Sequence, residues 1–208
     1  MLEESLTDYA TVLSSKDPVP GGGGAAAYVA ALGVSLGAMV CNLTLGKKRY
    51  AGVQDEIGEL EERSRTLRDE FERLSEADAE AFYPLSQAYG LPSGTPQERD
   101  AKAAVLQPAL AAAAGVPLQV CRRIGEALEI LDRLAEIGSR IAISDVGVGA
   151  SFCRAALASA ELNVLINSRL LTDPDQRQGL ETEAARLTAE GVARADRIVA
   201  KVRAQLVG

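Results

Sequence analysis

The sequence contains no histidine and no tryptophan, and aromatic residues make up only 4% of its 208 residues. The absence of histidine excludes Ser-His-Asp and Cys-His catalysis, histidine-ligated zinc and histidine as a general base. Acid–base chemistry near neutral pH must therefore use carboxylates, lysines, tyrosines or water. The scarcity of aromatic residues, together with abundant alanine and leucine, favours closely packed helices.

Metal-binding and redox motifs are also missing. Cys41, Cys121 and Cys153 lie apart from one another in apolar stretches, and no CxxC pair occurs. This pattern predicts buried free thiols in a reducing compartment, and a protein that needs neither a metal nor another cofactor. The first ten residues are acidic and have no hydrophobic core, so we expect no signal peptide and a cytoplasmic location.

The chain is acidic, with a formal net charge of -7. This charge argues against nucleic acid and against an anionic membrane surface as partners, because both attract basic proteins. A local basic patch could still hold a small anionic ligand.

Apolar residues recur at helical spacing along almost the whole chain, and strand patterns are nearly absent. We therefore predict an all-α fold, a single domain over residues 1–208 built as a bundle with two or three long helices. The longest apolar stripe runs from residue 53 to residue 89. A short N-terminal helix is predicted from Leu2, Leu6, Tyr9 and Leu13.

Capping and helix-breaking residues predict where several helices begin and end. Thr95 and Glu98 form a capping-box pattern, with Pro96 at the first helical position. Pro108 is expected to disturb this helix, and a separate helix is expected over residues 117–137.

Two more helices are predicted after Gly138, which is a good C-terminal stop. Ser144 is the expected cap of the first, which continues to about Leu171. Thr172 is the expected cap of the last helix, with Pro174 in its first turn.

The segment over residues 25–45 is apolar on all faces and follows a proline- and glycine-rich loop over residues 18–24. Its length would suffice to span a membrane. It is rich in alanine and glycine, however, and Asn42 and Thr44 interrupt it, so we predict a buried core helix instead. Because such a helix is too apolar to face water alone, we also predict a homodimer that covers it across a two-fold axis.

Two carboxylates differ from their surroundings. Asp78 lies four residues after Leu74 and three before Ala81, on the apolar stripe of its predicted helix. It is either a partly exposed edge residue, a member of a buried ion pair, or a catalytic group with a pKa raised by burial. Asp145 lies in a first helical turn, where a carboxylate commonly stabilises the helix dipole and less often acts in catalysis.

Asn163 and Asn167 are four residues apart and face the same way, at positions where core residues would be expected. They could bind a ligand or tie their helix to a neighbour. Asn163 is eighteen residues beyond Asp145, which corresponds to roughly 27 Å along an unbroken helix. Two residues this far apart on one continuous helix cannot both touch one small ligand within one subunit. Either the helix breaks between them, or the two residues serve opposite ends of an extended ligand, or one of them is structural.

The glycine run is not a known nucleotide motif, because no Walker lysine follows it and no strand precedes it. Glycines that lead into a helix nevertheless expose N–H groups at a positive dipole end, which suits an anion or a carbonyl group. A plain loop is the alternative. The basic residues over 47–49 are either a solvated charge cluster or part of a binding site.

Five motifs occur in an order that is typical of one family: PGGGG, LTLGKKRY, DAEAF, ISDVGV and NVLIN. With them, the chain resembles the methenyltetrahydrofolate cyclohydrolases of bacterial one-carbon metabolism and the cyclodeaminase half of formiminotransferase-cyclodeaminase. The resemblance covers nearly the whole chain. It implies an all-helical, dimeric, cytoplasmic and metal-free enzyme whose substrate is a tetrahydrofolate derivative.

The resemblance also implies roles for individual residues. The expected folate-binding loop comprises Gly21, Gly22 and Gly23. The residues expected beside the same pocket are Lys47, Lys48 and Tyr50. The candidates for proton transfer are Asp145, Asp78 and, as a further catalytic candidate, Lys48. The amides that match the last motif, and that we expect to contact substrate, are Asn163 and Asn167.

Three functions are compatible with these residues. The first is hydrolysis of the methenyl bridge to formyltetrahydrofolate, which needs a carboxylate to accept a proton from water. The second is formiminotetrahydrofolate cyclodeamination, which forms the same bridge and must protonate the leaving ammonia. The third is a non-catalytic, folate-binding helical dimer.

Overall fold

The structure is a computed structural model, and it describes residues 5–207. These residues form six α-helices, two short 3-10 helices and no strand, which confirms the predicted all-α fold. The α-helices are α1 (Leu6–Leu13), α2 (Gly22–Asn42), α3 (Gln54–Tyr89), α4 (Pro96–Ile137), α5 (Ile143–Ser168) and α6 (Pro174–Val207). The 3-10 helices are Lys48–Val53 and Arg140–Ala142. Leu2, part of the predicted N-terminal helix, lies outside the described residues.

Helices α2 and α5 lie antiparallel and in close contact. A Cβ atom on Gly33 would lie 3.0 Å from the Gly149 carbonyl oxygen, and one on Gly149 would lie 2.7 Å from the Gly33 carbonyl oxygen. Side chains at these two positions would force the helices apart, so glycine is required for this close approach. Helix α3 packs on α2, and α4 and α6 pack on α5, around one main hydrophobic core. Cys41, Cys121 and Cys153 are free and buried, as predicted.

The glycine-rich segment is helical from Gly22 onward, whereas the sequence predicted a loop through Gly24. Glycine is a poor helix former, so tertiary packing must stabilise this turn. A Cβ atom on Gly24 would lie only 3.1 Å from the carbonyl oxygen of Ser75 in α3. The glycines thus allow the first turn of α2 to approach α3 closely.

Helix α4 is continuous over 42 residues, so the prediction of two separate helices around Pro108 and Pro117 is wrong. Pro117 has no N–H to donate to the carbonyl of Ala113, four residues earlier. The side-chain amide of Asn167 in α5 donates to that carbonyl instead, at 3.1 Å. A long-range hydrogen bond therefore replaces the one that the proline removes.

The predicted caps are partly correct. The capping box of Thr95 and Glu98 is present, and α4 ends at Gly138 as expected. Ser144 does not cap α5, because a 3-10 helix leads directly into it and the helix begins one residue earlier. At α6 the carboxylate of Asp173, rather than Thr172, accepts from the free backbone N–H groups of the first turn.

The predicted core helix, α2, is buried on one side and exposed on the other. Together with α5 it forms an outward surface, the α2–α5 apolar face, whose large exposed side chains are Leu32, Met39, Leu43, Val148, Phe152 and Leu162. By length and composition alone, three helical segments are apolar enough to cross a membrane: Gly22–Asn42, Pro96–Ile137 and Arg140–Ser168. About half of each apolar window is buried inside the bundle.

Candidate functional site

The amino end of α2 meets the carboxylate of Asp78 from α3. Gly21, the N-cap residue, has no side chain to accept from the first-turn N–H groups. The Asp78 Oδ2 atom accepts instead from the Gly24 N–H at 2.8 Å. Asp78 therefore caps a helix that lies 54 residues earlier in the chain, and its negative charge is stabilised by the positive end of the α2 dipole.

Gly23 leaves the space that the Asp78 carboxylate occupies. A Cβ atom on Gly23 would lie 2.2 Å from Asp78 Oδ1 and 2.7 Å from Oδ2. No residue with a side chain fits at position 23 while the carboxylate stays in place. We name the group formed by Gly22, Gly23, Gly24, Ser75 and Asp78 the glycine–Asp78 cluster.

Burial raises the pKa of Asp78, and the hydrogen bond from Gly24 opposes this effect in part. Asp78 makes no ion pair with any lysine or arginine in the described part of the chain. It is thus a half-buried carboxyl group without a compensating cation, the arrangement that shifts a carboxyl pKa towards the range useful for proton transfer.

A groove of about 380 Å³ between α2 and α5 begins beside this cluster. Small side chains, including Ala25 and Ala155, form its floor, and Asn163 lies at the end nearest Gly22. The Asn163 amide group is 3.6 Å from a Cβ placed on Gly22, and its Nδ2 donates to the Ser159 carbonyl in its own helix. Its Oδ1 accepts no hydrogen bond from the described residues, so it can accept one from a ligand in the groove.

Asn167 has a different environment, although it lies one turn further along α5. Its Nδ2 donates to the carbonyl of Ala113 at 3.1 Å and to that of Asn163 at 3.0 Å. The sequence left two alternatives for Asn167, which were binding a ligand and tying its helix to a neighbour. These hydrogen bonds correspond to the second alternative.

A second polar group, the α5 N-terminal cluster, lies at the opposite end of α2. Lys47 Nζ donates to Ser139 Oγ at 3.4 Å, and the Arg140 N–H donates to the Tyr50 hydroxyl oxygen at 3.0 Å. The bond from Arg140 lowers the pKa of Tyr50. Asp145 follows in the first turn of α5, half-buried.

The side chains of Asp145 and Lys48 make no hydrogen bond or ion pair with another residue in the described range 5–207. Lys48 is exposed on the 3-10 helix that precedes α3. Both side chains are thus available to a ligand, and neither is held in place by a contact within the protomer.

The two clusters are far apart within one protomer. Helix α5 runs without a break from Ile143 to Ser168, so the possibility of a helix break between Asp145 and Asn163 is excluded. Their separation along α5 is roughly 27 Å. The predicted site residues therefore form two groups. At one end are Gly21, Gly22, Gly23, Asp78 and Asn163, with Asn167 one turn beyond. At the other end are Lys47, Lys48, Tyr50 and Asp145.

Several polar residues of these clusters were not identified from the sequence. Ser75 is three residues before Asp78 and therefore on the same helix face, a signal that periodicity could have supplied. No local sequence pattern predicts the contacts of Ser139 and Arg140, because their partners are more than 80 positions away in the chain.

No group of three or more histidine, cysteine, aspartate or glutamate side chains lies close enough to hold a metal ion, within the residues that the structure describes. The residues present thus supply carboxyl, amide, hydroxyl and ammonium groups for binding and proton transfer.

Comparison with known proteins identifies relatives over nearly the whole chain. The family model described as formiminotransferase-cyclodeaminase matches residues 5–186. A methenyltetrahydrofolate cyclohydrolase of Methylorubrum extorquens is 39% identical over 203 residues, which cover 98% of each chain. A formimidoyltransferase-cyclodeaminase of Mus musculus is 34% identical over 173 residues, which cover 83% of this chain but only 32% of that protein.

A solved structure has the same fold. The crystal structure of a formiminotetrahydrofolate cyclodeaminase from Thermotoga maritima is 30% identical, with a TM-score of 0.83, and the match covers 100% of this chain and 98% of the other.

Proposed function

The chain belongs to the formiminotransferase-cyclodeaminase family, and we propose that it is a methenyltetrahydrofolate cyclohydrolase, which hydrolyses the methenyl bridge to give formyltetrahydrofolate. The observation that carries this proposal is the similarity to the Methylorubrum extorquens cyclohydrolase over nearly the whole of both chains. The mouse relative differs in architecture, since this chain spans about a third of its length.

The proposed reaction suits the residues of the two clusters. Water adds to the cationic methenyl carbon and loses a proton, and one carbon–nitrogen bond then breaks as the leaving nitrogen gains a proton. A carboxyl group such as Asp78, with a pKa raised by burial, can exchange protons in both steps. Lys47 and Lys48 provide cations for the carboxylates of the folate glutamate tail.

We further propose that the enzyme is a homodimer in which the α2–α5 apolar faces of two copies pack together. The exposed apolar side chains of this face would otherwise remain in water. A two-fold axis that crosses α2 at right angles near its middle would pair the helix with its copy in antiparallel orientation. The glycine–Asp78 cluster of one subunit would then lie beside the α5 N-terminal cluster of the other, so that two half-sites complete one another.

We also propose that the reaction needs no metal and no cofactor besides the folate substrate, and that the protein is cytoplasmic. No histidine is available as a ligand anywhere in the sequence. Burial raises the pKa of each of the three cysteine thiols to about 12, which disfavours the thiolate form that binds metals.

The activity can be tested by following the absorbance of the methenyl compound with purified protein. Decay of added methenyltetrahydrofolate above the uncatalysed rate is the expected result. Growth of that absorbance from formiminotetrahydrofolate would indicate the second candidate, a cyclodeaminase, which the similarity to the Thermotoga maritima structure favours. Folate binding without either reaction would refute both and indicate a binding protein.

The shared site can be tested by complementation between two inactive variants. Asp78→Asn and Asp145→Asn subunits, carrying different tags, are co-expressed and the mixed dimer population is assayed. If each site takes one carboxylate from each subunit, half of the dimers are mixed and each has one intact site, so about one quarter of the parent activity returns. Activity no higher than that of the separate variants would show that both carboxylates act within one subunit or that only one is needed. A monomer in light scattering at micromolar concentration would refute the dimer itself.

A further inference from the structure

The α2–α3 loop, residues 43–53, brings Lys47 and Tyr50 to the α5 N-terminal cluster. Their side chains meet two successive residues of the segment that leads into α5, since Lys47 Nζ donates to Ser139 Oγ and the Tyr50 hydroxyl accepts from the Arg140 N–H. The 3-10 helix of this loop is interrupted at Tyr50, whose φ of -110° and ψ of 22° are not helical. The backbone of the loop is thus irregular at the residue whose hydroxyl meets Arg140.

The side-chain amide of Gln54, the first residue of α3, holds this loop. Its Oε1 accepts from the Gly46 N–H at 2.7 Å, and its Nε2 donates to the Tyr50 carbonyl at 2.8 Å. A third and longer hydrogen bond joins Nε2 to the Thr44 carbonyl at 3.5 Å. One amide group therefore joins the backbone on both sides of Lys47, and it uses both its acceptor and its donor to do so.

The partner of the loop is held separately, by Thr44. The Thr44 side chain is fully buried, and its Oγ1 donates to the Val40 carbonyl at 2.7 Å and accepts from the Ser139 N–H at 2.9 Å. The segment that precedes α5 is thus anchored to the end of α2. All hydrogen bonds of the Gln54 side chain within residues 5–207 go to the loop. Gln54 therefore determines where the loop side chains lie relative to a partner that is already anchored.

The start of α3 by itself does not call for glutamine at position 54. Asp55 and Glu56 already place negative charge in the first turn, where it stabilises the helix dipole. A carboxylate at position 54 could accept from Gly46 but could not donate to Tyr50, and a lysine could donate but not accept. The requirement for an amide thus comes from the loop.

We propose that Gln54 is a positioning residue, whose amide fixes the α2–α3 loop so that Lys47 and the Tyr50 hydroxyl face the segment that precedes α5. Gln54 acts through these two side chains and not on the reacting atoms. Its effect on catalysis rests on the proposed function, in which Lys47 and Tyr50 contact folate. Its effect on the contact between Tyr50 and Arg140 does not.

The first test measures this contact without using activity. Gln54→Met keeps the length of the side chain and removes both hydrogen-bonding groups, and Gln87→Met, at an exposed position of the same helix, is the matched control. The Tyr50 hydroxyl is titrated by ¹³C NMR of labelled tyrosine, with its signal identified from Tyr50→Phe.

The hydrogen bond from the Arg140 N–H is the largest cause that lowers the pKa of Tyr50. If Gln54 holds the loop, this pKa should rise in Gln54→Met and stay unchanged in Gln87→Met. A Tyr50 pKa that is equal or lower in Gln54→Met would overturn the proposal, whatever reaction the protein catalyses.

The second test measures substrate binding. Because Lys47 and Tyr50 are assigned to folate binding, Gln54→Met should raise KM by roughly 3- to 10-fold and leave kcat within about twofold of the parent, the effect of losing a neutral hydrogen bond. In a background that carries both Lys47→Ala and Tyr50→Phe, the same change should have no further effect.

A similar rise in KM in both backgrounds, or a loss of kcat at unchanged KM, would show that Gln54 does not act through these side chains. Circular dichroism of Gln54→Met and Gln87→Met separates positioning from folding. Loss of helix content in Gln54→Met alone would also overturn the proposal, because Gln54 would then be needed for the whole fold and not for the loop.

Discussion

Replacing Gly23 with alanine is expected to displace Asp78 and to abolish most of the activity, although alanine is ordinarily the better helix former. The added Cβ would lie 2.2 Å from Asp78 Oδ1, and real Cβ contacts are essentially never shorter than 3.0 Å. The carboxylate must therefore move by about 1 Å or more, since backbone movement of two packed helices is more costly. Its 2.8 Å hydrogen bond from Gly24 is then lost.

The expected change in the free energy of unfolding of Gly23→Ala results from two opposing effects. Gly→Ala inside a helix stabilises by about 1 kcal/mol, whereas losing a hydrogen bond to a charged group costs about 1.5–3 kcal/mol. We therefore expect Gly23→Ala to lower the free energy of unfolding by about 0.5–2 kcal/mol. If Asp78 carries the proton, turnover should fall by roughly 100- to 10,000-fold.

The assay combines urea unfolding, followed by circular dichroism, with the decay of methenyl absorbance. Gly58→Ala in α3 is the matched control, because a Cβ at position 58 meets no atom within 4 Å. This control should gain about 1 kcal/mol in stability and keep its activity. If Gly23→Ala is stabilised as much as the control and keeps the parent turnover, then the space left by Gly23 is not needed to hold the Asp78 carboxylate in a position required for turnover.

Four further results are expected. Asp78→Asn and Asp145→Asn should each lower turnover by roughly 100- to 10,000-fold while leaving folate affinity and helix content unchanged; if both stay within about threefold of the parent, neither carboxylate is the catalyst. Because burial raises the pKa of Asp78, the folded state binds more protons there than the unfolded state, so parent stability falls as pH rises through that pKa. Asp78→Asn should thus be at least as stable as the parent at pH 7 and lose this advantage at acid pH, which denaturant titrations at several pH values would show. Asn167→Ala should cost about 1–3 kcal/mol in urea unfolding, because it leaves the carbonyl of Ala113 unpaired, and Asn163→Ala should cost less. Chelator treatment should leave the activity intact, and loss of activity with recovery on added zinc would contradict a metal-free reaction.

Local interactions explain most of what could be predicted about the fold. The capping box at Thr95 and Glu98 depends on residues three positions apart, so its pattern is visible in the sequence. The prolines of α4 show the opposite case. Their effect on the helix was predicted from the local rule that proline removes a hydrogen bond, but at Pro117 the amide of Asn167 replaces that bond from another helix.

The candidate site could be predicted only in part, because local spacing does not show which residues of different helices meet. Periodicity indicated that Asp78 was out of place on an apolar stripe, because the position of a side chain on its own helix depends on spacing alone. Its partner could not be identified in this way, since Gly24 lies 54 residues away and meets Asp78 only through the packing of α2 on α3.

By itself, the sequence determined the helical class, several helix ends and the inventory of reactive groups, since these depend on composition and on neighbours three or four positions apart. The tertiary structure decided which of those groups meet. Helices α2 and α5 run antiparallel with a close contact at Gly33 and Gly149, which brings Asn163 to Gly22 and leaves Asp145 at the far end of the bundle. Rigid helices keep these ends apart, because each residue adds a fixed rise of 1.5 Å along the axis.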